Sequence, residues 1–246
     1  MRHFKKFTWL FITVLLLASC RSIPPPLSTP SPYVIKAGIS PYLSSTYQAQ
    51  VAACSRELPG TAVQYFPAAA SYPDPLNYDL LIWWGDPALY SPLFTSQLTA
   101  YQLGYDELQV ITSPENRLYR ISGSDIRQIF SGSLQSWSDL PDSELNGSIQ
   151  LWSYPSGTPV REIFQTHLLN EMQISSAARI VPGSGEMVTE VAATPGSIGF
   201  ALTSSIENSE DEIKILRLEK DLTFPVLAVT PKDDQLMQLL ISCLQE

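Results

Sequence analysis

The chain has 246 residues, with 15 Lys and Arg against 24 Asp and Glu, a formal charge of −9, two His and three Cys. An acidic surface argues against nucleic acid or an anionic membrane face as partner. With two histidines and no Cys-x-x-Cys, a metal site has almost no ligands to draw on, so neither a metal nor a cofactor is expected.

The first residues read as an address. Arg2, Lys5 and Lys6 precede an apolar run from Phe7 to Ala18, which ends in Leu17-Ala18-Ser19-Cys20. A short apolar region followed by small residues is the pattern of a cleavable signal, and the run is well short of the roughly 20 residues that span a bilayer. Residues 1–19 are therefore expected to be a signal peptide. Residues 20–32 are proline-rich and read as an extended tether that cannot pack a core. From Cys20 onward 12 basic residues face 24 acidic ones, a charge of −12. A buried cleft can still hold an anion on backbone N–H groups, whatever the net charge.

Beyond the tether, apolar runs alternate with helical periods. Strands are expected at Tyr33–Ile39, Val63–Phe66 and Asp79–Gly85, the last a near-continuous apolar run. Ser44–Leu58 reads as a helix, capped by Ser44 or Ser45 and stopped by Pro59-Gly60. A strand at Asp106–Thr112 precedes a short helix, Ser124–Ser131, with Ser122 or Ser124 as cap and Gly132 as stop. Ile149–Tyr154 is a strand, and Pro159–Leu169 a helix opening on proline. Glu186–Ala193 is helical; Ser197–Leu202, Lys214–Leu218 and Val226–Thr230 are strands; Asp233–Leu244 is a closing amphipathic helix. Alternating strands and helices predict an α/β fold with largely parallel sheets. His167 falls in a helical pattern and reads as a surface residue.

Ser156-Gly157-Thr158 stands where a strand ends and a helix begins at Pro159. Free N–H groups at that helix start, with the two hydroxyls, would make an anion site; alternatively Thr158 only caps the helix. Two cysteines remain after Cys20. Cys54 and Cys243 are either disulfide-bonded, as a secreted compartment permits, or buried free thiols.

Four segments, in order, resemble the phosphate-type periplasmic binding proteins. They are DLLIWWGDP (79–87), LQVITSPENRLYRISGSDIRQIFSGSLQSWSDL (108–140), SIQLWSYPSGTPVREIF (148–164) and ARIVPGSGEMVTEVAATPGSIGFAL (178–202). Order and spacing carry the resemblance more than any one piece. Leu-Ala-Ser-Cys is similarly the bacterial lipoprotein box, which implies lipid on Cys20 and an extracytoplasmic, membrane-anchored protein. The family implies a type 2 two-lobed α/β fold joined by two crossover strands, here Leu108–Thr112 and Gly199–Leu202. Residues 33–106 with 203–246 would form the first lobe and 107–202 the second, with ligand in the cleft between them. It further implies a monomer that hands its solute to an ABC importer permease.

The sequence departs from the family at the site. Phosphate binders carry an Arg six residues before the loop Thr and an Asp two residues after that Arg. Here Trp152 and Tyr154 stand at those positions, and Pro155 replaces a glycine. The charge-assisted contact is therefore missing; Arg161, one turn into the helix, either replaces it or is a solvated surface residue. Ser40 and Tyr42, in the loop after the first strand, remain available as contacts. Trp83 and Trp84 alternate faces at a strand end, so one is expected to face the ligand and one the core. The ligand set expected is thus Ser40, Tyr42, Trp83, Trp84, Trp152, Tyr154, Ser156, Gly157, Thr158 and Arg161. Either the rings suit an organic solute, or they fill the space of the lost Arg–Asp pair and the cleft binds little. An enzyme is not expected, since Ser156 has no paired histidine in any motif and no nucleophile elbow is present.

Overall fold

In the run YVIKAGI, Ile35 and Ala37 are fully buried while Val34 and Lys36 face out, the two-residue period of a strand. This is β1, Tyr33–Ile39, and the computed structural model builds the rest of the fold outward from it. It describes residues 31–43, 45–67, 73–90, 95–207 and 209–246. The expected signal peptide, Cys20, all but the last two residues of the expected tether, and Ser44, one of the two expected caps, lie outside the described residues. Among the described residues, no helix is long and apolar enough to cross a membrane.

The strands after β1 are β2 (Thr61–Pro67), β3 (Leu80–Trp84), β4 (Thr99–Thr112), β5 (Gln150–Ser153), β6 (Arg179–Ile180), β7 (Ser197–Leu202), β8 (Lys214–Leu216) and β9 (Thr223–Thr230). The α-helices are α1 (Ser45–Arg56), α2 (Gly123–Ser131), α3 (Pro159–His167), α4 (Ser184–Ala193), α5 (Thr203–Ile206) and α6 (Gln235–Leu244). The sheet runs β2-β1-β3-β9-β4-β7-β5-β6, with β8 also on β4.

β4 is the pivot. Its first part, Thr99–Glu107, pairs with β9, with a register irregularity between Gln102 and Gly104. Its second part, Leu108–Thr112, pairs with β7, and Val110–Thr112 also with β8. One strand therefore serves two half-sheets, and the change of partner falls between Glu107 and Leu108. The expectation of largely parallel sheets needs correction. β1 is parallel to β2 and β3, and β5 to β6 and β7, but every pairing of β4 and β9 is antiparallel. The strands that carry the chain across and back run against their neighbours.

Alternation along β3 divides the core. Leu80, Ile82 and Trp84 join the main cluster, while Leu81 and Trp83 join a smaller one with Tyr90, Leu227 and Val229. In the second half-sheet the core is aromatic. Phe164 and Phe200 stack with centroids 3.9 Å apart, and Phe130 meets Phe164 edge-on at 4.6 Å. Each such pair adds roughly 0.5–1.5 kcal/mol beyond its area burial.

α2 starts and stops on the signals read from sequence, while α1, α3, α4 and α6 differ from the expected spans by one or two residues at one or both ends and α5 was not expected. Ser122 caps α2, accepting the Asp125 N–H at 3.1 Å, and Gly132 ends it with φ +82°, a conformation open to glycine. Asp234 caps α6 by accepting the Met237 N–H at 2.9 Å. Cys54 on α1 and Cys243 on α6 are disulfide-bonded, joining residues 189 apart in sequence. Of the two states left open for these cysteines, the structure has the bond.

Candidate functional site

β1 ends in Ser40-Pro41-Tyr42-Leu43, a turn closed by Leu43 N–H donating to Ser40 O at 3.1 Å. This turn meets the starts of two helices from the second half-sheet. One is α3, which follows Ser156-Gly157-Thr158; the other is α4, which follows Gly183. A side chain at Gly183 would press to 3.3 Å from the Pro41 carbonyl, so the close approach depends on glycine there.

Tyr42 makes most of the contact. It is 1% exposed, and its ring sits edge-on to Tyr154 with centroids 5.1 Å apart. Thr158 donates its hydroxyl to Pro155 O at 2.9 Å, so in its hydrogen bond with Tyr42 the phenol is the donor. Burial pushes the Tyr42 phenol up to about 12. The Tyr42 carbonyl accepts from the Ser184 hydroxyl at 2.8 Å and the Ser205 hydroxyl at 3.3 Å. With its proton so used, Ser184 accepts from the Tyr154 phenol at 3.3 Å. Burial raises the Tyr154 phenol further. Ser40 Oγ lies 3.4 Å from the Tyr42 N–H and accepts it weakly.

Of the residues expected at the site, the structure brings Ser40, Tyr42, Tyr154 and Thr158 together. Thr158 occupies the N-cap position of α3 without making a side-chain cap bond, because its hydroxyl is turned to Pro155 and Tyr42. Ser156 and Gly157 face outward. They line a hollow of about 440 Å³ with Leu89, Glu162, Gln165 and Glu171. Gly157 takes φ +79°, which the tight turn into α3 requires.

Four expectations are corrected. Arg161 is neither a solvated surface residue nor a cleft anchor. It is 8% exposed, donates to Tyr154 O at 2.9 Å and Gln165 Oε1 at 3.0 Å, and burial lowers its affinity for its proton. The guanidinium locks the strand end to its own helix. Trp83 and Trp84 both go to core. Trp83 packs on Tyr90, while Trp84 donates to Asp106 O at 3.0 Å. Trp152 lies deeper in its strand, beside Gly199, with the Arg179 guanidinium 5.3 Å over its ring. Lastly, His167 is part-buried, with Nε2 3.1 Å from Asp86 Oδ2 and its ring against Phe224. The indole N–H groups of Trp83 and Trp152 are buried without a partner.

The sequence reading missed Ser184, Ser205 and Asp106. Ser184 had a signal, a serine between two glycines at a helix start. Asp106 stands where β4 changes partner. It accepts from Glu107 N–H at 2.9 Å, Ser204 N–H at 3.2 Å and Ser204 Oγ at 2.5 Å. Burial raises its carboxyl above the usual range despite these bonds. Beside it a hollow of about 370 Å³ is lined by Tyr47, Tyr105, Glu107 and Glu207. Among the described residues, no group of three or more His, Cys, Asp or Glu is placed to hold a metal.

A half-sheet on either side of a pivot strand, with helix starts and hydroxyls gathered where they meet, is the architecture of a solute-binding protein. Residues 94–238 match the model of the PBP superfamily domain, and the chain belongs to that superfamily. The phosphate-binding protein PstS of Borreliella burgdorferi is 30% identical over 129 residues. That match covers 49% of this chain and 45% of the relative, so the chain spans about half the relative's length. Among solved structures, a phosphate ABC transporter substrate-binding protein with bound phosphate from Clostridium perfringens superposes with TM-score 0.69 at 16% identity, covering 85% of this chain and 92% of that one. An ABC-type phosphate transport receptor from Vibrio cholerae does so with TM-score 0.66 at 16% identity, covering 86% and 93%. At such identity these two establish the fold.

Proposed function

We propose that the protein is an extracytoplasmic solute-binding protein, held to the membrane by lipid on Cys20, that delivers a small solute to an ABC importer permease. The solute is bound between a first lobe, 33–106 with 203–246, and a second, 107–202. The switch of β4 from β9 to β7 supports that division. We take the protein to act as a monomer and not as an enzyme.

The observation that carries the ligand class is the hydroxyl and ring chemistry of the mouth, beside which the Glu186 carboxylate places a negative charge. Tyr42, Tyr154, Thr158 and Ser184 offer hydroxyls and rings, while the nearest cation, Arg161, is spent on Tyr154 O and Gln165. A dianion entering a closed cleft must replace its hydration with charge-assisted bonds worth roughly 1.5–3 kcal/mol each. At about 1.4 kcal/mol per tenfold, one missing bidentate Arg weakens binding by about two decades. The solute is therefore a small polar organic molecule rather than phosphate. A thermal-shift panel of oxyanions and small organic solutes tests this, because a ligand of the native state raises the melting temperature by mass action. An organic solute should raise it and phosphate should not; submicromolar phosphate binding would refute the ligand class. For the anchor, Cys20→Ala should release the protein from membranes or block its processing.

A second reading is favoured by the packing of Tyr42 on Tyr154. In it the protein is a sensory or structural relative that kept the fold and lost its ligand. A panel in which no solute shifts the melting temperature would select it.

A further inference from the structure

Of the chain's five asparagines, Asn77, Asn116, Asn146, Asn170 and Asn208, only Asn146 is followed by glycine. Asn-Gly is a turn-forming pair, and glycine has no side chain to shield its own nitrogen. Asn146 and Gly147 are both exposed, in the segment that leads into β5. Gly147 takes φ +102°, a conformation open to glycine, and no atom beyond its chain neighbours lies within 4 Å of the place a side chain would occupy. The two sides of this glycine differ. Its carbonyl is tied, accepting the Trp137 N–H at 3.0 Å and the Ser136 hydroxyl at 3.1 Å. Its N–H and the Asn146 carboxamide have no hydrogen-bond partner among the described residues. A free amide nitrogen thus stands directly beside an unbonded carboxamide.

We propose that Asn146-Gly147 is a site of spontaneous covalent modification, at which water converts the asparagine to aspartyl and isoaspartyl forms and so alters an anchor of the second half-sheet. The Gly147 nitrogen gives up its proton and attacks Asn146 Cγ. The Cγ–N bond forms, the Cγ–Nδ2 bond breaks, and ammonia leaves with that proton. The cyclic imide then takes up water at either of its carbonyls. Opening at one restores the main chain with a carboxylate side chain. Opening at the other routes the main chain through the former side chain. The sum is a carboxamide and a water consumed, a carboxylic acid and an ammonia released, with no oxidation or reduction. The isoaspartyl form lengthens the backbone by a carbon and adds a negative charge immediately before Gly147. Trp137, which donates its N–H to the Gly147 carbonyl, is fully buried, and its indole donates to Gly196 O at 2.9 Å, at the entry to β7. The modification therefore acts on the turn that seats the return strand.

The test is to age the full chain in warm, mildly alkaline buffer and follow its proteolytic peptides by mass spectrometry, with isoaspartate detected by a methyltransferase specific for it. Asn116 is the internal control. It is 1% exposed, donates its amide to Thr112 Oγ1 at 3.2 Å and accepts the Leu118 N–H at 3.0 Å. The peptide with Asn146 should gain the mass of an amide-to-acid exchange about tenfold or more faster than the peptide with Asn116, and it should accept methyl groups. Equal rates at the two asparagines overturn the proposal. Asn146→Gln, whose longer carboxamide closes the ring less readily, should lose methyl acceptance at this site; methylation that persists there also overturns it. Amide hydrogen exchange at Trp137 reads the effect on the anchor. Aged wild type should exchange there faster than fresh protein, while aged Asn146→Gln should not. Fresh Asn146→Asp, which adds the charge without lengthening the backbone, should exchange as fresh wild type does. Unchanged exchange at Trp137 in the isoaspartyl protein overturns the link from this turn to β7. None of these outcomes depends on which solute the protein binds, so the solute-binding function stands or falls separately.

Discussion

The half-sheets meet in two buried places built from opposite chemistry. At the pivot a carboxylate, Asp106, is 6% exposed and makes no ion pair among the described residues; its oxygens are met by the Ser204 hydroxyl and by backbone N–H groups of Glu107 and Ser204. At the mouth two phenols, two hydroxyls and a carbonyl satisfy one another, with the Arg161 guanidinium on the Tyr154 carbonyl and the Glu186 carboxylate beside Gly183. Both solutions obey one rule, that a buried polar group needs its partners in place. They differ in where the partners come from. The pivot carboxylate is met by backbone N–H groups and one hydroxyl, while the mouth is closed by side chains bonded mainly to one another.

The largest expected effect lies at the mouth. Tyr154 is 0% exposed and touches Tyr42, Phe200 and Ser184. Tyr154→Ala should cost roughly 3–5 kcal/mol by urea denaturation, the range for buried aromatic truncation, while Tyr154→Phe, losing one long hydrogen bond, should cost about 1 kcal/mol. Equal losses from both would mean that the phenol, not the ring, holds the mouth together. The disulfide provides a control away from both junctions. Cys54→Ser with Cys243→Ser should lower stability, by urea denaturation, by roughly 2–5 kcal/mol through the freed unfolded chain.

How much of this was legible in the sequence follows from locality. Tyr33–Ile39 and Ser197–Leu202 were read residue for residue, because a run of apolar and β-branched residues bounded by Pro and Ser says strand by itself. The start of β4 was not, because TAYQLGY contains a glycine at a register irregularity and gains strand pairing only from β9, more than a hundred residues later. β6 has two exposed residues and α5 only four, too short for any period. At the site, Tyr42, Tyr154 and Thr158 were named from the resemblance and do meet. The tryptophans were misplaced because a face of a strand is visible in sequence, whereas what covers that face is not. Asp106 was invisible for the same reason, since its partner Ser204 lies on α5, almost a hundred residues later.

The pivot makes a pH prediction. Asp106 has a folded-state pKa above that of the unfolded chain. Between the two values the folded state keeps a proton that the unfolded state has lost, so this group's contribution to stability rises as pH falls through the folded value and levels off below the unfolded one. Above the folded value the buried charge is a standing cost. Asp106→Asn abolishes that slope. Urea midpoints of wild type and Asp106→Asn from pH 7 down to pH 4 should therefore diverge in favour of wild type as pH falls. Parallel curves would show that the carboxylate at the pivot is fully compensated. Tyr47, Glu107 and Glu207 face the same hollow, and both proteins carry them, so their titration cancels to first order.

The smallest effect completes the contrast, because it carries the opposite sign. Asp79 sits just before β3 with 17% side-chain exposure and is 2.8 Å from the Lys232 ammonium, while its Oδ2 accepts the Lys36 N–H at 2.8 Å. Burial alone would raise its carboxyl, but the Lys232 bond, the Lys36 N–H and the two lysine charges outweigh it and leave the pKa lowered. A lowered carboxylate contributes stability above the unfolded pKa and loses it as pH falls through the folded value, the reverse of Asp106. Lys232 is partly solvated, with 36% side-chain exposure, so solvent screens the pair. Lys232→Met should cost only about 0–1 kcal/mol at pH 7, less at high salt, and nothing once Asp79 is protonated. Thermal melts of wild type and Lys232→Met at pH 7 and below pH 3, each at low and high salt, measure this. A loss above about 2 kcal/mol would mean that the Lys232 side chain also holds Tyr33, which it meets by hydrogen bond and over the ring at 5.0 Å, strongly enough to anchor the start of β1. In that case the first half-sheet, too, would depend on a charge placed among fixed partners.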